Sequence, residues 1–319
     1  MNVENLIEEN MNDNATETNE QYSIRQLSEI SGVNAITLRA WERRYGLLKP
    51  QRTPKGHRYY TADDIETVRN ILNWLDRGVA ISKVKPLLST DQLNSEQNSA
   101  SNHWQETINH SLELINQFQR EKLEQQINEL FGNYPLDTLA INYFSPLRDA
   151  LDRQAKLRFG GSAEKIFFDS ELHADLLSRI RHANSNNNGE RLLLLAFDGQ
   201  QHGIQALLLA LALLEAGFRL HLLFEACNLR EIPYIIEQSQ TASGSAIKTV
   251  ICHSDSKPEI AALEAELTRA ADHARIPFFV SGEWLNITPA LKNIDGITAL
   301  KDSLRTAIAT VSQSLRKTA

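Results

Sequence analysis

Between Arg39 and Arg58 the chain places seven basic side chains against a single acid. The bases are Arg39, Arg43, Arg44, Lys49, Arg52, Lys55 and Arg58, and the acid is Glu42. A guanidinium does one kind of chemistry well without a cofactor. Its planar fork of N–H donors matches the O6/N7 edge of guanine and the oxygens of a phosphate. The first three cations fall at helical spacing, and the others surround a segment containing Pro50, Pro54 and Gly56 that suits a hairpin. A helix that fits the major groove, followed by a hairpin that grips the backbone, is one way to hold duplex DNA. The cluster is local. Residues 22–88 hold 12 Lys/Arg against 6 Asp/Glu, a balance of +6, so the remainder of a 319-residue chain of net charge −7 carries −13. An acidic body with one basic module favours docking through a single face.

The elements that must position these side chains are legible around them. Ser23 caps a short helix, Ile24 to Ser31, which Gly32 ends. Asn34 caps a second helix through Arg44, with Ile36, Leu38 and Trp41 as apolar anchors and Trp41 expected in the core. A short helix, a Gly turn and a second helix form a helix-turn-helix pattern. The prolines exclude helix next, Lys55-Gly56 makes the hairpin turn, and Arg58-Tyr59-Tyr60 suits the returning strand. Thr61 with Asp64 starts a third helix to Leu75, and Ser82 opens a fourth to Leu88.

The rest of the chain divides in two. Residues 1–21 form an acidic tail with six acids and no base through Glu20, the reverse of a secretory leader's charged start. Residues 89–102 are polar and aperiodic and are expected to be a linker. Helical spans at 103–119, 121–132, 136–158 and 163–182 predict a four-helix bundle over residues 103–183, and 184–190 read as a second linker. Residues 191–319 open on the unbroken apolar run RLLLLAF, and strands near 218–224, 247–253, 277–280 and 296–299 alternate with helices. That alternation predicts a parallel, doubly wound α/β domain. The fold class is therefore multidomain, α followed by α/β. The longest apolar stretch, Ala206 to Leu214, is too short to cross a bilayer. Cys227 and Cys252 match no metal or redox spacing, which fits two buried thiols in a reducing cytoplasm.

The segments LRAWERRYGLL, KPQRT and GHR with its following Tyr resemble the MerR family of transcription regulators. The likeness is to the branch that couples a winged helix-turn-helix to a helical bundle and a cobalamin-binding-type, flavodoxin-like domain. The resemblance implies that the helix carrying Thr37, Arg39 and Arg43 enters the major groove, with Thr37 at a base edge or thymine methyl. Arg44, Tyr45, Arg52, His57, Arg58 and Tyr59 would contact the backbone, which positions a protein without specifying sequence. It further implies a homodimer on a near-palindromic promoter operator, distortion of the promoter DNA, and RNA polymerase as a partner there.

In the effector region the pattern departs from that of cobalamin binders. Family members with the cofactor carry an acid-x-His-x-x-Gly loop after the first strand. Here His202 stands at the ligand position, but Gln200 and Gln205 replace the acid and the Gly. Where such members place Trp, nine residues and then Glu-His, this chain has Phe159, nine residues and then Asp169-Ser170. Ser281-Gly282-Glu283 stands where two small residues would receive the nucleotide tail. The expectation is a fold kept without cobalamin, responding to a regulatory protein partner or another ligand. The rival is a cobalamin-dependent, light-sensing regulator with His202 as the cofactor-binding residue. No catalytic constellation, metal spacing or membrane-binding segment is evident, and a non-enzymatic, cytoplasmic protein is expected.

Overall fold

The computed structural model describes residues 21–88, 97–196, 203–223, 227–241, 246–254, 260–282, 284–287, 296–300 and 303–318. Contacts divide the chain into two compact units, the first of residues 1–77 and 81–93 and the second of residues 78–80 and 94–319.

The first unit begins with α1 (Ile24–Ser31), closed at its start by a reciprocal Ser23/Gln26 capping box and at its end by Gly32. Helix α2 (Ala35–Ala40) is capped by Asn34, whose side chain accepts from the Ile36 N–H at 2.8 Å. It continues without a break into a π-helical turn, Trp41–Tyr45. A two-stranded antiparallel wing follows, β1 (Gln51–Arg52) and β2 (Arg58–Tyr59). Tyr22 extends it by exchanging both backbone hydrogen bonds with Tyr60 at 2.8 Å. Helix α3 (Ala62–Asp76) opens on the Thr61/Asp64 capping box. Helix α4 is Ile81–Leu87, so Ser82 lies inside it and is not its cap. Leu27, Leu38, Trp41, Leu48, Val68, Ile71 and Leu75 form the buried centre.

The second unit joins bundle and sheet. Its helices are α5 (Gln97–Asn116), α6 (Arg120–Asn133), α7 (Leu136–Leu139) with a π-helical turn at Ala140–Phe144, α8 (Ser145–Leu157) and α9 (Gly161–Asn186). The sheet is built from β3 (Arg191–Ala196), β4 (Arg219–Leu223), β5 (Ile247–His253), β6 (Phe278–Ser281) and β7 (Ile297–Ala299). All pairings are parallel, in the order β4-β3-β5-β6-β7. With the strands numbered within the domain this is 2-1-3-4-5, the flavodoxin-like order. The helices between and after the strands are α10 (Ile204–Glu215), α11 (Ile232–Thr241, entered by a 3-10 turn at Leu229–Glu231), α12 (Ile260–Ala274), a short α13 (Trp284–Ile287) and α14 (Leu304–Thr318).

Two boundaries differ from the sequence expectation. Helix α5 begins at Gln97, inside the segment expected to be linker, and α9 runs to Asn186, into the second expected linker. The cause of the second difference is visible. Asn184 exchanges hydrogen bonds with the Leu220 backbone at 2.8 and 2.9 Å, and Asn187 donates to the Leu214 and Phe218 carbonyls at 2.6 and 2.7 Å. These Asn side chains are clamps on the sheet. Helix α10 has the same effect from the other side. It is buried continuously from Ala206 to Leu214 because it packs on α9 as well as on β4 and α14. A helix apolar all round is one enclosed all round.

Trp41 is fully buried where α2 passes into the π-helical turn. Trp41→Ala should destabilise the chain by about 3–5 kcal/mol, the range for removing a large buried aromatic. Urea unfolding followed by far-UV circular dichroism will register this as an early loss of helix. An unchanged transition would mean that Trp41 is not a core anchor.

Candidate nucleic-acid interface

The orientation of α2 decides which side chains face outward. Its Asn34 cap and the buried Leu38 and Trp41 turn Thr37 inward, and Thr37 is only 2% exposed. The expectation that Thr37 meets a base edge is therefore corrected: it is a core residue. Ile36, expected to be a core anchor, is 66% exposed. Leu38 and Trp41 keep their expected places in the core, and at about 100° per residue Thr37 falls on their side of the helix and Ile36 on the opposite side. The outward face carries Ile36, Arg39 and Arg43, spaced i, i+3 and i+7. Among the described residues no ion pair engages Arg39 or Arg43.

The wing projects from the same unit. Its turn closes through Gly56, at φ +83°, where the Gly56 N–H donates to the Thr53 carbonyl at 2.8 Å. A side chain would be strained at that φ, so Gly56 is required by the turn. Arg52 Nη1 donates to the Gly56 carbonyl at 3.2 Å, and Tyr59 donates its hydroxyl to Gln51 across the hairpin. Arg52, His57 and Arg58 are exposed, Tyr59 and Tyr45 are half-buried, and Arg44 is exposed on the π-helical turn. The sequence did not suggest a contact between Arg58 Nε and Glu42 Oε1 at 3.0 Å, which ties the wing to the helix. Part of the Arg58 charge is thereby answered within the protein. Beneath it Tyr60 is fully buried, and burial first and the Glu42 carboxylate second push its hydroxyl's pKa up.

A second location, the C-terminal ends of the parallel strands, is where open α/β sheets receive ligands. Gln200, His202 and Glu283 lie outside the described residues. The neighbouring described residues are engaged with one another. His253 Nδ1 and Ser281 Oγ are hydrogen-bonded at 2.9 Å, and Trp284 is buried, donating Nε1–H to the Ser281 carbonyl at 2.9 Å. A Cβ on Gly282 would stand 1.8 Å from the Ser254 carbonyl oxygen, so the close approach at that glycine is consumed by the protein's own backbone. On the bundle, Phe159 stands wholly in solvent. Asp169 is paired with Lys165, and the Ser170 hydroxyl donates to the Ile166 carbonyl at 2.7 Å. Cys252 is buried and Cys227 only half-buried, and burial raises the pKa of both thiols. Among the described residues no cluster could hold a metal ion, and no helix is long and apolar enough to cross a membrane.

A capped helix pair, an outward cationic face and a wing define a winged helix-turn-helix, and comparison with known proteins agrees. Residues 22–91 match the MerR HTH family regulatory protein, and the chain is similar there to regulators of the MlrA and CarH kind. The HTH-type transcriptional regulator MlrA of Salmonella typhimurium is 44% identical over 133 residues, 42% of this chain and 53% of the relative. The chain thus spans about half the length of the curated relatives it matches. The HTH-type transcriptional repressor CarH of Myxococcus xanthus is 46% identical over 67 residues, 21% of this chain and 22% of the relative. The solved monomethylamine corrinoid protein of Methanosarcina barkeri is 13% identical, covers 66% of this chain and 98% of its own, and has a TM-score of 0.48.

Releasing Arg58 from Glu42 should hand a full cation to the DNA backbone. Glu42→Gln is expected to strengthen random-duplex binding and to steepen the slope of log K against log salt by about one. Weaker binding would mean that the pair orients Arg58 and does not restrain it.

Proposed function

We propose that this protein is a transcriptional regulator that binds promoter DNA sequence-specifically, as a homodimer that distorts the operator and acts on RNA polymerase there. What carries the reading is the shared outward face of Arg39 and Arg43 beside an exposed wing of Arg52, His57 and Arg58. Two arginines one helical turn apart can fork onto guanine edges while the wing and the π-helical turn hold phosphates. The curated relatives are named as transcriptional regulators and a repressor, which supports the same reading. A partner found on the chromosome supports a cytoplasmic location, and relatives named as transcriptional regulators support a non-enzymatic role.

The effector region, on this reading, works without cobalamin. In support, Phe159, Asp169 and Ser170 are unsuited to covering the cofactor, and Trp284, His253 and Ser281 occupy the strand ends among themselves. The regulatory signal is then a protein partner or a different ligand.

Two experiments test these statements. Arg39→Ala and Arg43→Ala should each weaken binding to a selected duplex by about 1–3 kcal/mol while changing random-duplex binding less. Arg58→Ala should weaken both alike. Equal losses for all three variants on both duplexes would remove the groove assignment. Incubation of the full chain with adenosylcobalamin or methylcobalamin, then desalting, should leave a colourless protein in the dark and after light. A retained corrin absorbance band would replace this account of the effector region with the cofactor-dependent one.

A further inference from the structure

We propose that Ile36 is a specificity-determining residue that reads a thymine methyl group in the major groove, beside the bases met by Arg39 and Arg43. The inference rests on the DNA-binding reading above and extends it to a base type. Ile36 is 66% exposed in the first turn of the recognition helix, where the Asn34 side chain fixes its backbone N–H. In helix-turn-helix docking the N-terminal residues of that helix are the ones that reach base edges.

Single exposed apolar residues are common and usually need no explanation. Ile36 differs in its setting. It shares one face with two arginines that no ion pair engages among the described residues, while its neighbours Thr37 and Leu38 are buried. On a face otherwise given to cations, a bulky aliphatic group has one apolar counterpart in the major groove, the C5-methyl of thymine. The β-branched side chain is also stiff about χ1, so little rotamer freedom is lost on docking. Thr37, which the sequence pointed to for this contact, is turned away from it.

The test uses the full chain. Duplexes enriched from a random pool are remade with each thymine replaced in turn by deoxyuridine, which removes only the methyl. Wild-type protein should lose affinity about fourfold at one thymine of each half-site, the value of one buried methyl. Ile36→Ala should bind the thymine and deoxyuridine forms of that site equally. As an exposed residue, Ile36 can be shortened without unfolding the unit, and the deoxyuridine arm needs no variant at all. An enriched duplex on which wild type ignores every thymine methyl, or on which wild type and Ile36→Ala lose affinity alike, would overturn this inference alone. Failure to enrich any duplex would overturn the DNA-binding reading and this inference with it.

Discussion

The first unit depends on the burial of Trp41 at the junction of α2 and its π-helical turn. That side chain, with Leu38 one turn earlier and Leu27 and Val68 in the same buried centre, sets the rotation of the helix about its own axis. Once the rotation is set, every other assignment follows. Thr37 goes inward, and Ile36, Arg39 and Arg43 go outward together. Glu42 comes to face the wing, where it meets Arg58. A helix rotated by one residue would bury an arginine and turn a threonine outward. The cost of an unpaired buried guanidinium makes that alternative inaccessible.

Helix α10 plays the corresponding part in the second unit. Its unbroken apolar stretch needs cover on all sides, and the bundle helix α9 supplies what the sheet cannot. The Asn184 and Asn187 side chains then lock the end of α9 to β4 and the turn before it through backbone hydrogen bonds. Bundle and sheet are consequently one body.

Much of this was legible in the sequence. The capping residues Ser23, Asn34 and Thr61, the wing glycine Gly56 and the β5 strand IKTVICH act through local chemistry, and local chemistry is what a sequence displays. The boundary misplaced at the end of α9 depends on distant partners. Nothing local distinguishes an Asn-rich linker from Asn184 clamping Leu220, 36 residues away. Ile36 was expected in the core because it is apolar and near Leu38, and Thr37 was expected outward from the family resemblance; the packing around Leu38 and Trp41 places each the other way. The Glu42–Arg58 pair spans 16 residues and had no signal in spacing at all.

The central claim is that one face of this protein reads DNA sequence. It is tested most directly by the ratio of two affinities of the unmodified full chain, for its selected duplex and for a scrambled duplex of equal length, across a range of salt. The account predicts a preference of about 10³-fold or more, with both affinities falling linearly in log–log coordinates as salt rises. Equal affinities, or binding indifferent to salt, would contradict it.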